Sequence, residues 1–329
     1  MNEPRLAMLL LGIPPLLVWS MARSRFHRHP LGLAFAMIVI ALPCLAPLLV
    51  RELTSPMRVW VLAILALFLT LRSWEVLRLP AGRLGGWWRT TLFIYLWPAL
   101  CYDGFLRPVG EDRWRRVAVK TLSASLRIPI GLGLFALGAW LGCPEKYWAL
   151  DHLLKLLEIY IFMGGMHDLI VASFALLGLH LDDVFRWPVF SKSVLDFWQR
   201  YSRHVNAWLR ANVFLASGGR RHPVPSILLV FIFSSVIHEY VFLVALGIED
   251  NLGWQTAFFM LHGLVAITGL WAGRRLIALG IHIPRVFKIA LTFTFIYFSS
   301  LLFMHCMDAM MTFHEGGIGT RLLNWAMGR

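Results

Sequence analysis

Eight long apolar blocks constrain this chain more than any other feature of its sequence. They cover roughly residues 5–22, 31–50, 58–77, 123–142, 153–178, 225–247, 255–272 and 286–306. Each approaches the ~20 residues that an α-helix needs to cross the hydrocarbon core of a bilayer. In hydrocarbon every backbone N–H and C=O must be satisfied within the protein, which leaves helices as the spanning element for runs of this kind. The expected fold class is therefore all-α: a polytopic integral membrane protein with about eight transmembrane helices, plus re-entrant or interfacial helices. Composition excludes a soluble protein, because 58% of residues are hydrophobic and only 15% charged, against about half and a quarter in soluble domains. No internal repeat or low-complexity linker divides the chain, so one domain over 1–329 is expected. Arg5 alone precedes Leu6–Trp19 and no A-x-A site follows, which reads as a retained first helix rather than a cleaved signal.

The net charge of +13 would suggest nucleic acid in a soluble protein. Here it sits in short loops, where it sets topology and meets anionic lipid, so no nucleic-acid partner is expected. Arg23, Arg25 and Arg28 follow the first block, and Arg78, Arg83 and Arg89 the third. Arg107, Arg113, Arg115, Arg116 and Lys120 precede the fourth, Arg220 and Arg221 the sixth, and Arg274, Arg275, Arg285 and Lys288 lie between the last two. The loop after the sixth block carries Glu249 and Asp250 and no basic residue. With both termini outside, all these basic clusters fall in the cytoplasm. Trp87–Phe105, broken at Trp97-Pro98, must then enter and leave on one side. Of the 31 basic residues 26 are arginine, a bias pointing to a GC-rich bacterial source and hence to the inner membrane; in a eukaryote the site would be the endoplasmic reticulum. Cys44, Cys101, Cys143 and Cys306 form no CxxC pair, so neither a metal site nor a disulfide framework is expected.

Two segments carry candidate chemistry. The first is Ser234-Ser235-Val236-Ile237-His238-Glu239-Tyr240, past the midpoint of the sixth block. Ionisable groups in lipid are expensive and call for a functional hypothesis. Neighbouring helical residues point about 100° apart, so His238 and Glu239 need separate roles. A neutral histidine can take a proton from a hydroxyl; the alternative is a histidine satisfied by a neighbouring helix. The second segment is Ser191–Phe214. Phe197, Trp198, Tyr201, Val205, Trp208 and Leu209 recur at three and four residues, the pattern of an amphipathic helix lying in the membrane interface. Its polar face holds Arg200, Arg203, His204 and Arg210. That combination suits either an ordinary membrane-surface helix or a site for a phosphorylated carrier such as coenzyme A.

Together the two segments resemble the membrane-bound O-acyltransferase (MBOAT) superfamily. The pattern D-F-W-x-R-[YW]-x-x-x-V-x-x-W-L-R, followed some thirty residues later by S-x-x-x-H-E, is met by Asp196, Phe197, Trp198, Arg200, Tyr201, Val205, Trp208, Leu209, Arg210, Ser234, His238 and Glu239. Leu177-Gly178, Val184–Pro188 and Ser191–Trp198 are similar to elements of the wax synthase branch, and His-Glu-Tyr to the sterol and diacylglycerol acyltransferases. The motif region spans 177–246. The resemblance implies the MBOAT fold and acyl transfer from acyl-CoA, a co-substrate rather than a bound cofactor, to a hydroxyl acceptor. It implies His238 as the catalytic base, with Glu239 beside it, and places Phe197, Trp198, Arg200, Tyr201 and Trp208 near the thioester. A lipid-like alcohol is the expected acceptor, for wax ester or glycerolipid synthesis; a polysaccharide or other small hydroxyl compound is the alternative. The family carries Asn or His four residues after the tryptophan of F-W, or His five after in wax synthases; this chain has Ser202 and Arg203 there, and its histidine comes at His204. Ser202 keeps the four-residue offset and is the favoured second catalytic group; alternatively a register shift brings His204 into that role. On one regular helix it would face about 200° away from His204.

Other polar residues in the blocks are softer signals. His167 and Asp168, after Gly164-Gly165, either line a substrate tunnel, orient His238 or join helices by hydrogen bonds. Arg72 and Glu75 have the spacing of a helical ion pair. Arg127 is expected to snorkel to the cytoplasmic edge, and His262, His305 and Asp308 to be structural. The 15 tryptophans mostly mark interfaces. A transporter or non-catalytic scaffold is the competing class, but transporters show two related halves and this chain does not. No signal of oligomeric state is present. Membrane lipid, acyl-CoA and the hydroxyl acceptor are the expected partners.

Overall fold

A computed structural model describes residues 3–24, 26–80, 82–142 and 147–314, with 320, 324, 325 and 327 beyond them. Among the described residues its regular structure is helical, apart from one isolated bridge between Pro108 and Leu179. The main helices are α1 (Glu3–Ser24), α2 (Pro30–Ala41, running on through short turns to Leu53), α3 (Pro56–Arg78) and α4 (Trp87–Leu96). Then follow α5 (Arg113–Leu141), α6 (Trp148–Leu176), α7 (Val194–Arg200), α8 (Arg203–Leu209), α9 (Pro223–Leu246), α10 (Trp254–Ala278) and α11 (Arg285–Met310). Among the described residues, eight helices are long and apolar enough to cross a membrane: α1, α2 with its extension, α3, α5, α6, α9, α10 and α11. The protein is an integral multi-pass membrane protein, as the apolar blocks imply. Cys44, Cys101 and Cys306 are free thiols; Cys143 lies outside the described residues.

Contacts between Cα atoms group the chain into two compact units, 1–105 with 232–256 and 106–231 with 257–329. In the first, proline at N1 starts both α2 and α3, where its missing N–H would have no intrahelical partner anyway. The break at Trp97-Pro98 ends α4 and leaves carbonyls that hydrocarbon cannot satisfy. Buried Arg72 supplies the donors, at 2.8 Å from Ile94 O and 3.2 Å from Ala99 O. Glu75 accepts from the Tyr102 N–H at 3.4 Å. Arg72 and Glu75, read from spacing as an ion pair, thus both serve the irregular 94–102 stretch. Gly247 closes α9 with a φ of +94°, and a side chain there would lie 2.8 Å from the Arg51 guanidinium. Both space and backbone conformation therefore select glycine.

In the second unit α5 and α6 form a long antiparallel pair. α5 begins at Arg113, ten residues before the apolar block, because its basic first turns have work along α6: Arg113 donates to the carbonyl of Leu176 at the end of α6, where the helix dipole favours cations, and Arg116 to that of Leu181 in the loop beyond. The two helices approach closely at small residues. A side-chain carbon on Gly131 would lie 2.8 Å from Phe162 Cβ, and one on Gly165 would lie 2.8 Å from Ile128 Cγ1. Asp168 joins the pair: its carboxylate accepts from Lys120 Nζ at 2.8 Å, Ser123 Oγ at 2.7 Å and Arg127 Nη1 at 3.0 Å. Arg127 also lies over the Tyr160 ring at 5.5 Å. Arg127 is thus held in the helix pair by a carboxylate and an aromatic face.

Beyond α11, His314 inserts against α6. Its Nδ1 is 2.5 Å from Asp151 Oδ1 and its Nε2 is 2.8 Å from Glu158 Oε1. Gly138 leaves room for the ring; any side chain there would collide with it. Lys155 bridges Asp151 at 2.8 Å and Asp308 at 2.9 Å. Burial opposes charge on His314, but the two carboxylates outweigh it and hold its pKa up at about 9.

Two stability predictions follow from these ion groups. Asp168→Ala takes the carboxylate partner from Arg127, whereas Lys120 keeps Asp183 at 2.7 Å; breaking a fully buried pair costs about 3–5 kcal/mol, an upper bound here, so the melting temperature of the detergent-purified protein should fall, and by less for Asp168→Asn. The contribution of His314 is fully present below the ordinary imidazole pKa and is lost as pH rises through about 9. Between pH 7 and pH 10 the melting temperature of the wild type should therefore fall more steeply than that of His314→Gln, which starts lower. Parallel curves for the two proteins would contradict this.

Candidate active site

His238 lies on α9, where its imidazole Nδ1 is 2.8 Å from the carbonyl of Ser234, one turn earlier. A carbonyl only accepts, so Nδ1 carries the proton and Nε2 is the basic nitrogen of the neutral ring. The bond also holds the ring along its own helix, a restraint that costs no second polar group in the lipid. Glu239, pointing off in another direction, has a different task. Its Oε1 accepts from the Gly253 N–H at 2.6 Å, and its Oε2 from the N–H and hydroxyl of Thr256 at 2.8 and 2.7 Å. These donors belong to the first turn of α10, whose N–H groups have no partners within the helix. Glu239 caps α10 from α9, with its negative charge at the positive end of the dipole. That geometry ties α9 to the start of α10. Two residues on, Tyr240 donates to the Cys44 carbonyl at 2.6 Å and packs in a cluster with Val59, Val244 and Ala245. The helix just after His238 is thus fixed by polar bonds within its own unit.

The segment expected to be one interfacial helix differs in two respects. First, it is broken: α7 ends at Arg200, Ser202 takes a left-handed conformation with a φ of +49°, α8 begins at Arg203, and a π-helical turn covers Arg210–Phe214. Four bonds to the preceding loop explain the break. Arg186 N–H donates to Arg200 O at 2.8 Å and Arg203 N–H to Val184 O at 2.9 Å. Arg203 Nη1 donates to Asp183 O at 3.2 Å and His204 Nε2 to Asp182 O at 2.9 Å. Backbone groups that would continue the helix are spent on 182–186. The rotation of 200° between Ser202 and His204 therefore does not apply. His204 is committed to the loop carbonyl; burial, with that bond working against it, pushes its imidazole pKa below the ordinary value.

Second, the segment does not lie on a surface. Val194 belongs to a buried cluster with Ile227, Phe231, Phe258, Phe259 and Ala266, and Trp198 packs against that cluster. The Trp198 ring meets Phe259 at 5.5 Å, Phe258 at 6.2 Å and Phe231 at 6.4 Å. Phe231 and His262 each sit eight residues into their helices, roughly 12 Å along the axis. The Trp198 side of the apolar stripe is covered by spanning helices, because periodicity reports which face is apolar and not what covers it. Within α7, Ser193 Oγ accepts the Asp196 N–H at 3.1 Å as an N-cap. Asp196 pairs with Arg200 at 2.7 Å. Burial works against its charge, yet Arg200 and the Lys192 N–H hold its carboxyl pKa below the ordinary range. Tyr201 stacks on Phe197 at 5.3 Å and meets Phe185 at 5.0 Å. Phe185 in turn meets Tyr160 and His167, each at 5.7 Å. Trp208 is buried. His167 bonds the Met163 carbonyl of its own helix at 2.9 Å, and Asp168 has the joining role described above.

Comparison with known proteins adds a family to this geometry. Residues 146–272 match the model of the MBOAT, membrane-bound O-acyltransferase family. The match contains α7, α8, Ser202, His204, His238 and Glu239. A "Probable alginate O-acetylase AlgI" from Azotobacter vinelandii is 28% identical over 108 residues, which is 31% of this chain and 20% of that protein. Proteins of the same name from Pseudomonas putida and Pseudomonas aeruginosa are each 27% identical over 64 residues, 20% of this chain and 13% and 12% of theirs. The similarity thus spans no more than a fifth of those relatives. None of it singles out the wax synthase or diacylglycerol acyltransferase branches.

His262, expected to be structural, accepts the Trp198 indole N–H at 3.0 Å; that partner has no signal in the sequence, where His262 is one of several histidines in apolar spans. Ser202 yields a prediction of its own. Asn and His enter the left-handed region far more readily than other residues with a side chain, whereas a β-branched residue there is strained. Ser202→Asn should keep the wild-type melting temperature, and Ser202→Val should lose about 1–3 kcal/mol; equal losses would show that the turn is not held at this φ.

Proposed function

We propose that this protein transfers an acyl group from acyl-CoA to a hydroxyl acceptor. The observation that carries the reading is the tautomer of His238, whose Nδ1–H is spent on Ser234 O so that Nε2 is basic, within a match to an acyltransferase family. In the reaction Nε2 takes the proton of the acceptor hydroxyl as its oxygen bonds to the thioester carbon. The C–S bond then breaks, and the imidazolium returns the proton to the leaving thiolate, giving ester and free coenzyme A. Ser202 is the group proposed to donate to the thioester oxygen as it gains charge. Phe197, Trp198, Arg200, Tyr201 and Trp208 make up the donor-binding segment. His204 and Asp168, engaged with Asp182 O and with Lys120 and Arg127, support that segment and the α5–α6 pair rather than touching substrate.

For the acceptor, the similarity to proteins named alginate O-acetylases favours a short acyl group and a polysaccharide or other hydroxyl-rich compound over a lipid alcohol. The basic loops favour delivery of acyl-CoA from the cytoplasm, across the inner membrane of a bacterium.

The test is expression in cells lacking the protein, fed in parallel with labelled acetate and labelled palmitate. Wild type should place acetate label in an alkali-labile ester of hydroxyl-rich material. Label that appears only from palmitate, in a neutral lipid ester, would instead support the wax ester reading. His238→Ala should lower either product by about 10²–10⁴ with little change in melting temperature; near-normal ester from a well-folded His238→Ala protein would reject His238 as the base.

A further inference from the structure

The polar groups around Trp198 form a directed chain. An indole N–H only donates, so His262 Nδ1, 3.0 Å away, must accept it. In the neutral ring that leaves the proton on Nε2, which donates to Ser299 Oγ at 2.8 Å. The Ser299 hydroxyl then donates to Ile296 O at 3.3 Å, and the chain ends on backbone. His262 is fully buried and Ser299 nearly so. Phe258 and Phe295 hold the imidazole at 4.2 and 5.0 Å. With both ring nitrogens committed, His262 has no nitrogen to offer a substrate proton, and its role is geometric.

What it orients matters more than what it stabilises. α7 has only seven residues, too few to be a stable helix in isolation, so tertiary contacts set its orientation. The aromatic contacts of Trp198 tolerate sliding and rotation, whereas a hydrogen bond to its single polar atom does not. Four residues beyond Trp198 the chain enters the left-handed turn at Ser202. Fixing the indole therefore fixes the entry to that turn.

We propose that His262, through Ser299, is a positioning residue for the acyl-donor site: it sets the rotation of Trp198 and thereby the register of the Trp198–Ser202 turn. The proposal rests on the acyltransferase reading. It predicts that His262 acts through the indole N–H and no other group.

The test measures binding of a non-reactive thioether analogue of acetyl-coenzyme A to the full-length protein in detergent, alongside its melting temperature. His262→Leu and Trp198→Phe should each weaken binding by about tenfold, the scale of one hydrogen bond lost with its partner left buried. The double variant should be no weaker than either single. His262→Gln, whose amide can accept from the indole and donate to Ser299, should stay within about threefold of wild type. Additive losses, or unchanged binding in a folded His262→Leu protein, overturn the proposal. Should His262→Leu fail to fold, Trp198→Phe decides: unchanged binding there overturns it as well. The two readings separate cleanly. Absence of saturable binding to folded wild type removes the acyltransferase reading and this proposal together, whereas tight wild-type binding with independent variants removes only the positioning role.

Discussion

Hydrocarbon offers a polar group no water, and that constraint accounts for where this chain spends its polar side chains. Arg72 caps the carbonyls exposed where α4 breaks. Glu239 caps the start of α10. Asp168 gathers three donors from α5, and His314 sits between two carboxylates of α6. Most of these groups lie at a helix end, a break or a helix–helix contact, where backbone or charge would otherwise be unpaired. His238 differs in kind: its bond to Ser234 O uses the nitrogen that carries the proton, which makes the other ring nitrogen the basic one.

The turn at Ser202 shows the same economy applied to backbone. A left-handed residue with a side chain is strained, and it persists because four bonds to 182–186 over-determine it. The resemblance places Asn or His at this offset. Both are polar, and both tolerate the left-handed region. Serine here retains the polarity with a shorter reach, which is the chain's own departure from the pattern.

The spans were legible because hydropathy over 20 residues is a local property, and all eight expected blocks correspond to long helices. The divergence of His238 and Glu239 was legible because adjacent helical residues point about 100° apart, and their side chains bond different partners. What escaped was non-local. The break at Ser202 depends on a loop some eighteen residues earlier, and nothing in the 3.6-residue period of Phe197, Tyr201 and Val205 announces it. The partner of Trp198 lies 64 residues away. The carboxylate partner of Arg127 is 41 residues distant. Amphipathic spacing likewise identified an apolar face on α7 but not the helices that cover it.

The central claim is that a thioester is cleaved here only as a hydroxyl attacks it, with His238 moving the proton. The most direct measurement is release of free coenzyme A thiol from acetyl-coenzyme A by the purified protein in liposomes, with and without a hydroxyl-rich acceptor. The account predicts release that rises with acceptor concentration and is lost in His238→Ala. Release at the same rate in that variant, or in wild type at a rate indifferent to acceptor, would contradict it.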